Sequence, residues 1–285
     1  MCKETAVKRV LLILALLGIA IVTTVRVVGQ SPQGVLPIGS VRPSSLQTAT
    51  TSRSLSSSRL STPPIIDGNF ADWPGGMDAL AVNRDTCYAF TGRVDSNADL
   101  SAVVRSGWDP DYLYFAIQVS DDIIVSDSVD VWRDDAVEIG LDGLRDRYSW
   151  GEDDHQYTIT ADGRMADRGI ATTAINAAVQ THDAGYRVEV SIPMTALITN
   201  GTPISGTIIG FTIGLRDDDD GGNWDAYLIW EGTSTASMPE QFGDLILAER
   251  LQDRIAALES RILDLERQIR ELLTILAEFE QLEEP

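Results

Sequence analysis

The sequence predicts an all-β protein: one antiparallel β-sandwich, jelly-roll or immunoglobulin-like, with an apolar signal or anchor helix before it and a coiled-coil helix after it. Three observations predict this. Between residues 63 and 247 short segments alternate apolar and polar residues and are bounded by Gly, Asp, Asn and Pro. An apolar run at 10–25, broken only by Gly18 and the Thr23-Thr24 pair, lies near the start, and an alternating four-three spacing of Leu and Ile lies near the end.

The opening run, Val10–Val25, follows Lys3, Lys8 and Arg9. A basic flank before an apolar core is an export signal, and it keeps the N-terminus cytoplasmic while the remainder is sent outward. Its length lies between that of a cleaved signal peptide and that of a spanning helix of about 20 residues. Residues 1–29 are therefore a signal peptide or a membrane anchor, and the protein is expected outside the cell or tethered to its surface. Residues 30–62 are rich in Ser, Thr, Pro and Gln. Such a stretch buries too little apolar surface to fold and is expected to be a disordered spacer.

The sandwich is assigned to residues 63–247, a length ample for one core. Expected strands include 113–120, 136–141, 156–160, 186–192, 208–215, 226–230 and 245–247, each burying alternate residues. Trp73, Trp108 and Trp230 are expected in the core. Cys2 precedes the apolar run, so Cys87 has no intramolecular partner; it is either buried or free to cross-link.

Residues 248–282 carry a heptad seam: Leu251, Leu258, Leu265 and Leu272 at d, and Ile255, Ile262 and Ile269 at a. Arg254 and Arg261 fall at g, Glu259 and Glu266 at e of the next heptad, so the charges select a parallel mate. Ile at a with Leu at d favours two strands, while Arg254 to Glu259 and Arg261 to Glu266 resemble a motif of trimeric coils. A parallel dimer or trimer is expected; the competing reading is a helix packed back on its own domain.

The formal charge of −21 leaves no clustered Lys/Arg surface for nucleic acid. Catalysis is also unsupported: no Gly-x-Ser-x-Gly elbow is present, nothing marks a carboxylate pair, and His155 and His182 are the two histidines. No organic cofactor is expected. A haem-binding sandwich would need Met165 or Met194 brought beside His155 or His182. The acidic run Asp217, Asp218, Asp220 and Asp225 has the oxygen density of a Ca²⁺ site but lacks the closing Glu of an EF-hand, so an irregular calcium site and a solvated turn both remain.

Several landmarks follow one another in a particular order. They are Ile66-Asp67-Gly68 with Trp73, Trp108-Asp109 leading to Leu113-Tyr114, Trp132-Arg-Asp-Asp135-Ala-Val137-Glu138-Ile139, Gly185-Tyr186, and Phe242-Gly243-Asp244-Leu245. In this order the chain resembles the family 9 carbohydrate-binding modules. The resemblance implies a non-catalytic domain that stacks a sugar ring on Trp132, with Glu138 as a polar partner and Gln156 retained. The chemistry suits the residues: a pyranose presents an apolar face to an indole, and its hydroxyls require fixed donors and acceptors.

Two departures from the family pattern stand out. Its second stacking tryptophan is replaced by Thr235-Ala236-Ser237-Met238-Pro239, and Thr158 and Thr160 stand where sugar binders of the family carry arginine and asparagine. Trp150 or Tyr148 would have to supply the missing wall. The expected partner is thus a poly- or oligosaccharide, engaged by several copies at once through the coil and serving polysaccharide catabolism. The alternative is a structural or adhesive envelope protein whose sandwich has lost its sugar site.

Overall fold

The computed structural model describes residues 53–148, 150–170, 174–198, 201–249 and 251–283; the side chains of residues 251–252 and 278–283 are not described. The apolar run at 10–25, most of the spacer, and the side chain of Leu251 lie outside what is described. No described helix is long and apolar enough to cross a membrane.

In chain order the strands are β1 (Ser54–Arg59), β2 (Leu80–Val82), β3 (Tyr88–Thr91), β4 (Leu100–Trp108), β5 (Tyr112–Asp121), β6 (Ala136–Asp142) and β7 (Asp154–Thr160). They continue with β8 (Met165–Asp167), β9 (Asn176–His182), β10 (Gly185–Pro193), β11 (Ile208–Asp217), β12 (Ala226–Ile229) and β13 (Gly243–Ala248). Two α-helices are described: α1 (Met194–Leu197) and α2 (Leu251–Glu283). The main sheet runs β8-β7-β6-β11-β13-β1-β4-β5-β10-β9 and curls back on itself, consistent with a sandwich. One core fills it. Ile139, Phe211 and Ile213 come from one side, Phe115, Ile117 and Val190 from the other, and Phe115 stacks on Phe211 with ring centroids 5.4 Å apart.

Every strand pair is antiparallel except those of β1, which lies parallel to both β13 and β4. This strand falls inside the stretch read as spacer, so that boundary is corrected to before Ser54. Its sequence, SLSSSR, has one apolar residue to bury, Leu55, and it places Ser57 in a buried hydrogen bond from Ser106 Oγ at 2.9 Å. A strand anchored that way carries no alternation to detect.

Buried polar residues do the same service at the entry to the domain. Glu189 of β10 accepts from the backbone N–H groups of Asp67 (2.9 Å) and Gly68 (2.7 Å) and from Trp73 Nε1 (2.6 Å). The Ile-Asp-Gly and Trp73 landmarks are thus held to the sheet by one carboxylate. Trp73, Trp108 and Trp230 are buried, and Cys87 is half-buried against the core, with burial pushing its thiol pKa up.

Period-two geometry also explains why β6, β7 and β11 are buried on two faces. Val137, Ile139, Tyr157, Ile159, Phe211 and Ile213 point into the core. The alternate residues, including Glu138, Gln156, Thr158, Thr212 and Arg216, form a second, polar layer. In α2 the seam residues Ile255, Leu258, Ile262, Leu265 and Ile269 are exposed, and Leu272 is half-buried.

Candidate functional site

The polar layer is the floor of an open groove. Register sets Glu138 opposite Thr158 on β7 and opposite Gly214 on β11, one step diagonally from Arg216. Gly214 is required there: a Cβ would stand 2.6 Å from the Tyr227 ring. That clearance lets Tyr227 of β12 and Thr235, from the segment before β13, reach the Glu138 carboxylate. Both hydroxyls donate to its Oε2, while Arg216 Nε donates to Oε1 at 2.7 Å. Thr158 Oγ1 completes the set at 3.4 Å.

Two adjoining cavities open above this floor. One, of about 530 Å³, lies between Trp132 and the floor residues Glu138, Thr158 and Arg216. The other, about 340 Å³, is walled by Phe90, Trp224 and Tyr227 and by residues 233–238. Gln156, Arg168 and Arg216 line both and so form the saddle between them. The Trp132 indole is 41% exposed, with the Arg133 guanidinium 4.7 Å from its ring centroid. The Arg216 guanidinium lies 4.3 Å from the Tyr227 ring centroid and 5.1 Å from that of Trp224. Arg216 Nη1, Gln156 Oε1 and Trp224 Nε1 are buried without a hydrogen-bond partner among the described residues. A donor and an acceptor kept dry beside an indole form an arrangement able to receive a hydroxyl-bearing ring.

Of the residues singled out from sequence, Trp132, Glu138 and Gln156 come together. Tyr148 and Trp150 line neither cavity: Tyr148 is 74% exposed, and Trp150 Nε1 donates to the Arg168 carbonyl at 3.3 Å. Aromatic rings on the second cavity come instead from Trp224 and Phe90, and a guanidinium reaches the floor from β11, that of Arg216. Sequence reasoning missed these residues. Only the register of β11 against β6 could have placed Arg216, and Trp224 was hidden in a loop read for its acids. The residues considered for haem are dispersed. His155 pairs with Asp167 and stacks on Tyr157, Met165 lies opposite Ile159 four residues along β7, Met194 is buried in the core, and His182 ends β9.

The acidic loop feeds four carboxylate groups, in two of which Asp219 meets Asp99 and Asp122 and Asp218 meets Asp127 and Asp134. Asp218, Asp220 and Asp225 each bring a carboxylate oxygen within 4.8 Å of the others, whereas Asp217 joins Asp121 and Asp135 in a buried triad of the same closeness. Asp121 Oδ2, Asp217 Oδ1 and Asp218 Oδ2 are buried and lack hydrogen-bond donors. Oxygens so disposed fit a hard cation that takes six to eight oxygen ligands. Burial, then the neighbouring Asp217, pushes Asp121 up to about 7; burial, then Asp121, lifts Asp135 to about 8; burial, then Asp219, lifts Asp217 to about 8. A fifth group, Asp142, Asp153 and Asp154, meets at the far end of β6 and β7.

A curled β-sheet with an aromatic-lined groove above a polar floor defines the class, a groove-bearing β-sandwich. The "carbohydrate family 9 binding domain-like" family matches residues 66–250, and the chain belongs to that family. Among characterised relatives it is 31% identical over 188 residues to exoglucanase XynX of Acetivibrio thermocellus and 29% identical to endo-1,4-beta-xylanase A of Thermoanaerobacterium saccharolyticum. Each match covers 65% of this chain but only 16% and 15% of those proteins. In fold it is similar to a family 9 carbohydrate-binding module from Caldicellulosiruptor kristjanssonii, solved in complex with cellotriose and with glucose. In the cellotriose complex the TM-score is 0.56 at 24% identity, over 70% of this chain and 95% of the module.

Proposed function

We propose that the chain is a non-catalytic carbohydrate-binding protein, exported by its N-terminal segment and held at the cell surface or secreted, where it serves polysaccharide catabolism. The observation that carries this reading is the exposed Trp132 indole standing over a floor in which Arg216 Nη1 and Gln156 Oε1 have no partner among the described residues. Membership of a carbohydrate-binding family and the sugar complexes of the Caldicellulosiruptor module support it. Calorimetric titration of the full chain with cello- and xylo-oligosaccharides tests it. Measurable binding by the wild type that Trp132→Ala abolishes is the expected result, and no binding by either protein returns the sandwich to a structural or adhesive role.

Two further features belong to the reading. The exposed Ile and Leu stripe of α2 is proposed to pair with the same stripe of other copies in a parallel dimer or trimer. Linked sites of that kind raise apparent affinity by about 10² or more where geometry allows. Calcium is proposed as a structural cofactor of the acidic loop, held by Asp218, Asp220 and Asp225 and by the adjoining triad that contains Asp217.

A further inference from the structure

The saddle between the two cavities carries a charge that a neutral sugar does not use. Arg216 is neutralised by Glu138, and Glu138 is fully engaged by Arg216, Tyr227, Thr235 and Thr158. Arg133 is paired with Asp130. Arg168 is different. Its backbone is pinned on both sides, the N–H donating to the Gln156 carbonyl at 3.0 Å and the carbonyl accepting from Trp150 Nε1. Its side chain lines both cavities, and among the described residues no carboxylate lies within ion-pair distance of it. In a chain of formal charge −21, acids are abundant, yet none of the described ones is placed to quench this guanidinium.

A guanidinium with no partner matches a carboxylate better than a hydroxyl, because charge-assisted hydrogen bonds to a planar carboxylate are roughly twice as strong as neutral ones. The groove therefore combines an indole for a ring face (Trp132), a buried donor and acceptor for ring hydroxyls (Arg216 Nη1, Gln156 Oε1), and a free cation at the rim (Arg168). Resting on the sugar-binding reading above, the geometry points to an acidic saccharide as the ligand class: an oligosaccharide carrying a hexuronate, whose carboxylate is taken by Arg168 while its ring packs on Trp132.

The test is calorimetric titration of the full chain, at pH 7 and low salt, with oligosaccharides ending in glucuronic or galacturonic acid. Each is compared with its carboxyl-reduced, neutral counterpart. The expected result is about fivefold or more tighter binding of at least one acidic form, shrinking as salt screens the pair. In Arg168→Gln the acidic-to-neutral ratio falls to about one, and Arg168→Lys, which keeps the charge, retains part of it. Equal or tighter binding of the neutral forms, or a preference that survives Arg168→Gln, overturns the uronate assignment and leaves sugar binding standing. Absence of binding by acidic and neutral forms alike overturns this inference, and removes the sugar-binding reading with it where cello- and xylo-oligosaccharides also fail to bind.

Discussion

Arg216 and Glu138 meet across the β6–β11 ladder with Nε and Oε1 2.7 Å apart, the carboxylate 1% and the guanidinium 11% exposed. The pair is the electrostatic centre of the groove, and breaking it from one side is costly because the survivor is left buried and uncompensated. Arg216→Met is expected to destabilise the domain by about 3 kcal/mol in urea unfolding. Arg216→Met combined with Glu138→Gln should recover a substantial part of that loss. If the double variant is no more stable than the single one, the pair is not the source of the effect.

Trp224 lines the second cavity, and Arg216 lies against its ring. If a bound oligosaccharide spans both cavities, Trp224→Ala should weaken binding by roughly threefold to tenfold, in keeping with about 0.5–1.5 kcal/mol for an aromatic contact. Tyr148→Ala should change nothing, since Tyr148 lines neither cavity. Titration of both variants separates the two surfaces, and equal losses would contradict the assignment of the wall.

The strands that could be read from sequence are those with apolar residues on alternate positions. Expectations at 113–120, 136–141 and 186–192 meet β5, β6 and β10 to within one residue at each end. Strands held by polar groups gave no such signal: β1 buries one leucine and a serine, and β9 (NAAVQTH) has no buried residue. The site divides along the same line. Trp132, Glu138 and Gln156 were legible because a local strand motif carries them. Arg216, Trp224, Phe90 and Arg168 were not, because they reach the groove from segments far apart in the chain and only sheet register brings them together.

Glu189 is a structural carboxylate that accepts three hydrogen bonds from the Asp67–Gly68 backbone and Trp73. Glu189→Ala strands those buried donors and should cost about 3 kcal/mol or more. Chemical unfolding is expected to show the loss, together with faster proteolysis before β2. A change below about 0.5 kcal/mol would mean water satisfies the donors instead.

The apolar stripe of α2 yields a prediction about assembly. Replacing Ile262 and Ile269 with Asp places charges in the seam of any parallel coil while leaving the sandwich untouched. Sedimentation at micromolar concentration should change from dimer or trimer to monomer, and binding to an immobilised polysaccharide should weaken far more than binding to a short soluble sugar. A wild type that is already monomeric removes the multivalent reading.

The buried triad of Asp121, Asp135 and Asp217 gives a pH dependence whose sign is fixed. Their pKa values are raised to about 7, 8 and 8 from an ordinary 3.8 by burial and by one another's charge. Between about 4 and 8 the folded state holds protons that the unfolded chain releases, so the triad's contribution is full below pH 4 and is lost as pH rises through 7 to 8. In EDTA, Tm should fall between pH 5 and pH 8.5. A bound Ca²⁺ acts in the opposite sense, because it takes the deprotonated carboxylates and competes with protons for the same oxygens. Millimolar calcium should therefore raise Tm strongly at pH 8.5 and little at pH 5, and Asp121→Asn with Asp217→Asn should flatten the EDTA profile and remove the calcium effect at this triad. A Tm that calcium leaves unmoved at pH 8.5 would show that the triad is a buried acid cluster kept neutral by protons and not a cation site.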